Sequence, residues 1–290
     1  MDAIEVMVMI SNPDDFISWN AQRKVERYKR VIDWHDYITR LHETGKVRQV
    51  WGSHQLLSRA KFVTSLGLLV AVYQVESWRE FDELLLNDPL RDISQYVTTP
   101  LTPLFEDREA DLQRYEQHKQ KLLGGKDDMG RLIYSAYRSL YNQPPDYFGK
   151  YDYIQPQNLP TDINVVEQPG DPLQILIMGV NPDEYITLWD DTHKLIHHEK
   201  VTWWHDYTAM LIHQDKISHA WGTHDFCYLS GMSAVSASAV VVYKPRNYDE
   251  FDTLYRLDPI RDTTQFWSIL LQPIADQRRM DEERLKRANP

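Results

Sequence analysis

Trp34-His35-Asp36-Tyr37 and Trp51-Gly52-Ser53-His54 decide the fold, because both stretches occur twice in the chain. They recur as Trp204-His205-Asp206-Tyr207 and Trp221-Gly222-Thr223-His224, each 170 positions later. The same offset holds without a gap from position 31 to position 105. A constant register across tryptophans and histidines, which are rare residues, indicates an internal duplication.

Each copy has a normal domain size of roughly 110 residues. The repeat predicts a first module over residues 1–123 and a second over residues 173–290, each ending in a helix. Residues 124–172 lie between them and are rich in Pro, Gly, Tyr and Asn. This composition is typical of turns and loops, so we interpret the segment as a linker whose aromatic residues pack against the modules.

Hydrophobic patterning predicts the order β-α-β-β-α-β in each module. Asn12 is the expected N-cap of the first long helix, with Pro13 in its first turn, and Gly45 ends it. This order is that of the ferredoxin-like split βαβ unit. Its four-stranded sheet leaves one face open. We therefore predict an α+β fold of two tandem ferredoxin-like modules, whose sheets pack face to face as an intrachain pseudo-dimeric α+β barrel.

The bulk properties exclude several classes of function. The formal net charge of −11 argues against a nucleic-acid partner, which would require clustered basic residues. No apolar run approaches the ~20 residues needed to cross a bilayer, so no membrane partner is expected. Cys227 is the only cysteine, which excludes an intramolecular disulfide and favours a reducing cytoplasm. No phosphate-binding Gly loop or nucleophile elbow is present.

The repeated residues resemble the YCII-related family of the dimeric α+β barrel superfamily, which includes muconolactone isomerase-like enzymes. The resemblance rests on His35 with Tyr37, Gly45-Lys46-Val47, the Asp88-Pro89 step and Pro103, and on their counterparts in the second copy. It covers both modules but not the linker. It implies acid–base pairs of His35 with Asp88 and of His205 with Asp258, acting on small ring compounds. The sequence departs from the family where Trp-Gly-Ser/Thr-His replaces the usual Gly-Pro.

An imidazole held by a carboxylate is a competent general base near neutral pH. His35 and His205 are therefore candidate bases, although a buried His–Asp pair can also serve only to lock a helix to a turn. His54 and His224 follow a Trp-Gly pair at a strand end, where they could line the cavity or cap a turn. Both interpretations remain open for each pair.

Several other residues are candidates for ligand contacts. Arginine side chains can hold an anionic substrate, and tryptophan rings can stack on a planar one, although ion pairing and core packing are the simpler roles. His193, His197 and His198 cluster in the second copy alone, where a solvated helix face is a simpler explanation than a metal site. We predict no metal ligands and no cofactor. The predicted substrate contacts are Trp34, Trp51, Arg91, Trp204, Trp221 and Arg261.

The sequence thus favours a cofactor-independent lyase or isomerase that acts on an aromatic or lactone-like small molecule in an aromatic-lined barrel cavity. The alternative is a non-catalytic ligand-binding or assembly protein of the same fold. One copy can also be active while the other is structural. A homo-oligomer is possible.

Overall fold

In the computed structural model, the described residues are 3–56, 68–123, 172–180, 189–223, 226–229, 235–261 and 263–288. The predicted linker lies almost wholly outside them. The first half contains β1 (Ile4–Ser11), α1 (Ala21–Glu43), β2 (Val47–Leu56), β3 (Leu68–Val75), α2 (Trp78–Leu86), β4 (Gln95–Pro103) and α3 (Leu104–Leu123). The second contains β5 (Gln174–Val180), α4 (Asp191–His213), β6 (Ile217–Gly222), β7 (Phe226–Leu229), β8 (Val235–Tyr243), α5 (Tyr248–Arg256), β9 (Gln265–Pro273) and α6 (Ile274–Ala288).

The first long helix begins later than predicted. Pro13 is followed by a short 3-10 helix at Asp14–Ser18, and α1 is capped by Asn20, whose side chain accepts from the Arg23 amide, rather than by Asn12. Trp19 lies between the two helices, has an extended backbone conformation and is buried. Gly45 has φ 72°, the left-handed conformation that ends a helix, as predicted.

Eight antiparallel strands form a closed barrel in the order β1-β3-β2-β9-β5-β8-β6-β4, and β4 pairs back with β1. The two halves join edge to edge. Trp51 is opposite Pro273 at the β2–β9 junction, and Trp221 is opposite Pro103 at the β6–β4 junction. The two junctions therefore pair equivalent residues of the two copies. The predicted face-to-face packing is therefore wrong in detail: the two sheets share one continuous hydrogen-bonded wall, which closes through the pairing of β4 with β1.

Alternating strand residues separate the barrel interior from the helix-covered outside. Met7, Met9, Val70 and Val72 point inward, whereas Val6 and Val8 pack outside against α1. The interior cluster joins both halves through buried apolar side chains, including Leu176, Met178, Val240, Trp267 and Ile269.

Each C-terminal helix crosses to the other half. α6 packs beside α1 and lies on β2, and α3 packs beside α4 and lies on β6. We call the α1–α6 contact the first seam and the α3–α4 contact the second seam. Both lie outside the barrel wall, and they bring residues of the two halves together.

Candidate functional site

The first seam buries the imidazole of His35 against a carboxylate from the other half. His35 Nε2 lies 3.2 Å from Asp281 Oδ2, and the two residues are 1% and 3% exposed. The Gln277 amide donates to the same Asp281 oxygen at 2.8 Å. Burial would raise the pKa of the Asp281 carboxyl, but hydrogen bonds from His35 and Gln277 outweigh it and lower that pKa. Because ionised Asp281 only accepts hydrogen bonds, the proton of the contact lies on His35 Nε2.

The second seam has the same imidazole but a different set of partners. His205 Nε2 lies 3.0 Å from Asp111 Oδ2 and 3.4 Å from Asp107 Oδ2. All three side chains are buried. Their ligand atoms lie within 4.8 Å of one another. Arg114 contacts the other Asp111 oxygen at 3.5 Å from a partly exposed position.

The two seams correspond residue by residue at the offset of 170, with two informative differences. Asp111 corresponds to Asp281 and Arg114 to Arg284, whereas Asp107 is replaced by Gln277. Arg27 of the first half is replaced by His197 in the second. The first seam therefore has one acid fewer and one guanidinium more than the second.

Arg27 is a buried cation on the first seam. It is 4% exposed, and its Cζ lies 5.7 Å from the centre of the Phe16 ring. Burial lowers the pKa of Arg27 to about 10, although the Asp281 carboxylate opposes the shift. Its Nε has no hydrogen-bond partner among the residues that the structure describes.

A second group of imidazoles extends along the second seam. The rings of His118 and His198 stack with centroids 4.9 Å apart, and His197 meets His198 edge to face at 5.6 Å. Burial lowers the pKa of His197 to about 4 and that of His198 to about 3. The prediction of a solvated face is therefore wrong for His197 and His198, which are buried. His193 is partly exposed and binds its own cap, Asp190.

The predicted pairings with the Asp-Pro steps are not those that the structure contains. Asp88 accepts from Trp34 Nε1 at 3.2 Å and from the Leu90 amide at 2.8 Å. Asp258 accepts from the Tyr243 hydroxyl at 3.2 Å and from the Ile260 amide at 3.0 Å. Asp88 and Asp258 thus stabilise their own turns against the hydrophobic clusters between the helices and the outside of the barrel. The histidines are contacted instead by acids of the C-terminal helices.

The other predicted site residues are dispersed. Trp34 and Trp204 lie in the two outer cores, whereas Trp51 and Trp221 face the barrel interior. Arg91 and Arg261 are exposed. His54 belongs to β2, but its side chain and all of His224 lie outside the described residues.

The sequence interpretation missed Asp107, Asp111 and Asp281. The signal was present, because the offset of 170 continues beyond position 105 into the C-terminal helices as Arg108/Arg278, Asp111/Asp281 and Arg114/Arg284. Spacing alone did not indicate that these helices cross between halves.

Comparisons with known proteins add only distant likenesses. No family model and no curated protein matches the sequence. A chlorite dismutase mutant from Candidatus Nitrospira defluvii, solved with cyanide, is 12% identical with a TM-score of 0.41, covering 96% of this chain and 94% of that one. A haem-binding protein from Thermus thermophilus is 10% identical with a TM-score of 0.39, covering 97% of this chain and 96% of that one.

The α+β barrel described above rests on the strand pairings themselves. No helix in the described ranges is long and apolar enough to span a membrane.

Proposed function

We propose that this protein is an acid–base enzyme of the lyase or isomerase type, with His35 as the proton-transferring group of the first seam. The observation that carries the proposal is the contact of His35 Nε2 with Asp281, supported by Gln277. A carboxylate that accepts the Nε2 proton fixes the imidazole tautomer and leaves Nδ1 as the basic atom. His205, held by Asp111, is the corresponding candidate of the second half.

Arg27 supports an anionic substrate for this site. It lies on the same helix as His35, two turns earlier, and its charge acts on the same Asp281 carboxylate. A buried guanidinium whose Nε has no hydrogen-bond partner among the described residues is suited to bind a carboxylate or enolate oxygen. We therefore propose a cyclic or aromatic substrate that carries an acidic group. We place the chemistry in the first seam, where His35, Asp281 and Arg27 lie, instead of in the predicted aromatic-lined barrel cavity.

Proton abstraction can be tested without knowing the product. The protein is incubated in deuterium oxide with a panel of cyclic carbon acids, such as lactones and substituted hydroquinones, and mass spectrometry measures deuterium uptake and product formation. We expect turnover of an anionic member by the wild type and a loss of about 100-fold or more in His35→Asn. Arg27→Met should raise KM more than it lowers kcat.

His213→Asn is the matched control, because His213 is an exposed histidine at the end of α4 and belongs to neither seam contact. It should retain full turnover. Equal losses in the control and in His35→Asn, with both variants folded, would contradict the proposal.

A non-catalytic assembly role is the second candidate, and the near-complete burial of His35 and Asp281 favours it. In that case the pair only locks α6 to α1. The wild type would then turn over no substrate in the panel. His35→Asn would lower the melting temperature. The single cysteine supports a reducing cytoplasm as the compartment for either role.

A further inference from the structure

We infer that the second seam binds one divalent transition-metal ion through Asp107, Asp111 and His205. This inference goes beyond the proposed acid–base function, which assigns no metal. It makes His205 a metal ligand instead of a base and leaves the proton-transferring role to His35. Two carboxylates and one imidazole are ligand types shared by Zn²⁺, Mn²⁺ and Fe²⁺ sites. Three protein ligands leave further coordination positions for water or a ligand.

The spacing of the three groups fits a common ion. Tetrahedral ligands with metal–ligand bonds of about 2.1 Å lie about 3.4 Å apart. His205 Nε2 lies 3.0 Å and 3.4 Å from oxygens of Asp111 and Asp107. Only small side-chain adjustments are therefore needed to place one ion among them.

Charge supplies an independent argument. Asp107 is 0% exposed and lies beside a second buried acid, Asp111. Burying a second carboxylate costs free energy unless a cation or a proton offsets its charge. Arg114 and the nearby His198 are among the charged or titratable groups that act on Asp111, and Arg114 is partly exposed.

The first seam is an internal control for this argument. At the position of Asp107 it has Gln277, whose amide donates to Asp281 at 2.8 Å. Packing of α6 on β2, which corresponds to the packing of α3 on β6, therefore does not require an acid at this position. The second seam has the carboxylate of Asp107 at the position where the first seam has the neutral amide of Gln277, which donates a hydrogen bond to Asp281.

The strand below provides space for that carboxylate. A Cβ on Gly222 would lie 1.6 Å from Asp107 Cγ, so only glycine admits the Asp107 side chain in its present position. The acid is thus held deep against β6, on the side of the wall where His205 approaches from α4.

The test is metal binding to the full-length protein after dialysis against a chelator. Isothermal titration calorimetry with Mn²⁺ and, separately, Zn²⁺ should give one site per chain, and metal analysis after desalting should give the same stoichiometry. Asp107→Gln, which copies the first seam, should weaken binding by about 100-fold or more while the metal-free protein stays folded. Gln277→Asp should create a second site.

His118→Gln is the matched control, since it removes an imidazole of the same seam outside the proposed ligand set, and it should retain one site. Binding that is unchanged in Asp107→Gln but lost in His118→Gln would overturn the assignment. A wild type that binds neither ion would overturn it as well. Neither result would alter the deuterium-exchange test of His35.

Discussion

At the scale of single residues, the two seams differ by a few atoms that change their chemistry. Asp107 and Gln277 occupy equivalent places but offer a charge in one seam and an amide in the other. His35 and Asp88 show the limit of sequence reasoning at this scale. Both are buried polar groups as expected, but each has a different partner from the predicted one.

Gly222→Ala should displace the Asp107 carboxylate, because the added Cβ would lie within bonding distance of its carbon. We expect weaker Mn²⁺ binding in calorimetry and a destabilisation of about 1–3 kcal/mol in urea unfolding. Gly45→Ala is the control, since it strains a left-handed residue with no atom within 4 Å of the new Cβ. It should cost about 1 kcal/mol and leave metal binding unchanged.

His197 should make the protein less stable in acid. Burial, with the nearby Lys200 charge, lowers the pKa of His197 to about 4, so the folded protein holds the neutral ring. Its contribution to stability is complete above the unfolded pKa of about 6.5 and is lost as the pH falls towards 4. The loss should reach about 2 kcal/mol at pH 5.

Urea unfolding between pH 8 and pH 4.5 measures this effect. His197→Leu should reduce the slope of the profile over that range to about half, because His198, whose pKa burial also lowers, contributes the rest. His213→Asn should leave the slope unchanged. An identical pH slope in wild type and His197→Leu would show that another group causes the acid sensitivity.

At the scale of helices and strands, the order β-α-β-β-α-β of the first half followed from hydrophobic periodicity, and the end of α1 followed from Gly45. The partners of the C-terminal helices did not follow, because the pattern shows which face is apolar but not which half it covers. Once α3 and α6 cross, equivalent contacts appear twice: Arg278 binds Asp36, and Arg108 binds Asp206. The buried His–carboxylate contacts lie between these exposed ion pairs and the barrel.

Buried and exposed contacts of one seam should differ in strength. Asp281→Asn leaves His35 and Gln277 facing a weaker acceptor in a buried site and should cost about 1–3 kcal/mol. Asp36→Asn removes an ion pair in which the Asp36 side chain is 58% exposed and should cost at most about 1 kcal/mol. Guanidinium unfolding of the two variants measures both values, and equal costs would contradict the burial assigned to the first seam.

At the scale of the whole molecule, duplication predicted two similar halves, and closure of their sheets unites them. Each half contributes four strands to the barrel, and the junctions β2–β9 and β4–β6 join them through backbone pairing. The interior apolar cluster contains residues of both halves. Sequence reasoning identified the repeat but expected facing sheets, because a one-chain pattern does not reveal which strand edges pair.

Cutting the chain between the halves should therefore leave them associated. A protease site introduced after Gly125 lies outside the described elements, and cleavage there should release no free half in size-exclusion chromatography under native conditions. Separation of the fragments without denaturant would contradict a barrel shared between halves.

The cross-half contact of His35 is the central claim, and imidazole ¹⁵N NMR tests it most directly. In the full-length protein, Asp281→Asn should shift the Nε2 resonance of His35, whereas Asp88→Asn should leave it in place. A His35 resonance that moves with Asp88→Asn and not with Asp281→Asn would contradict the account.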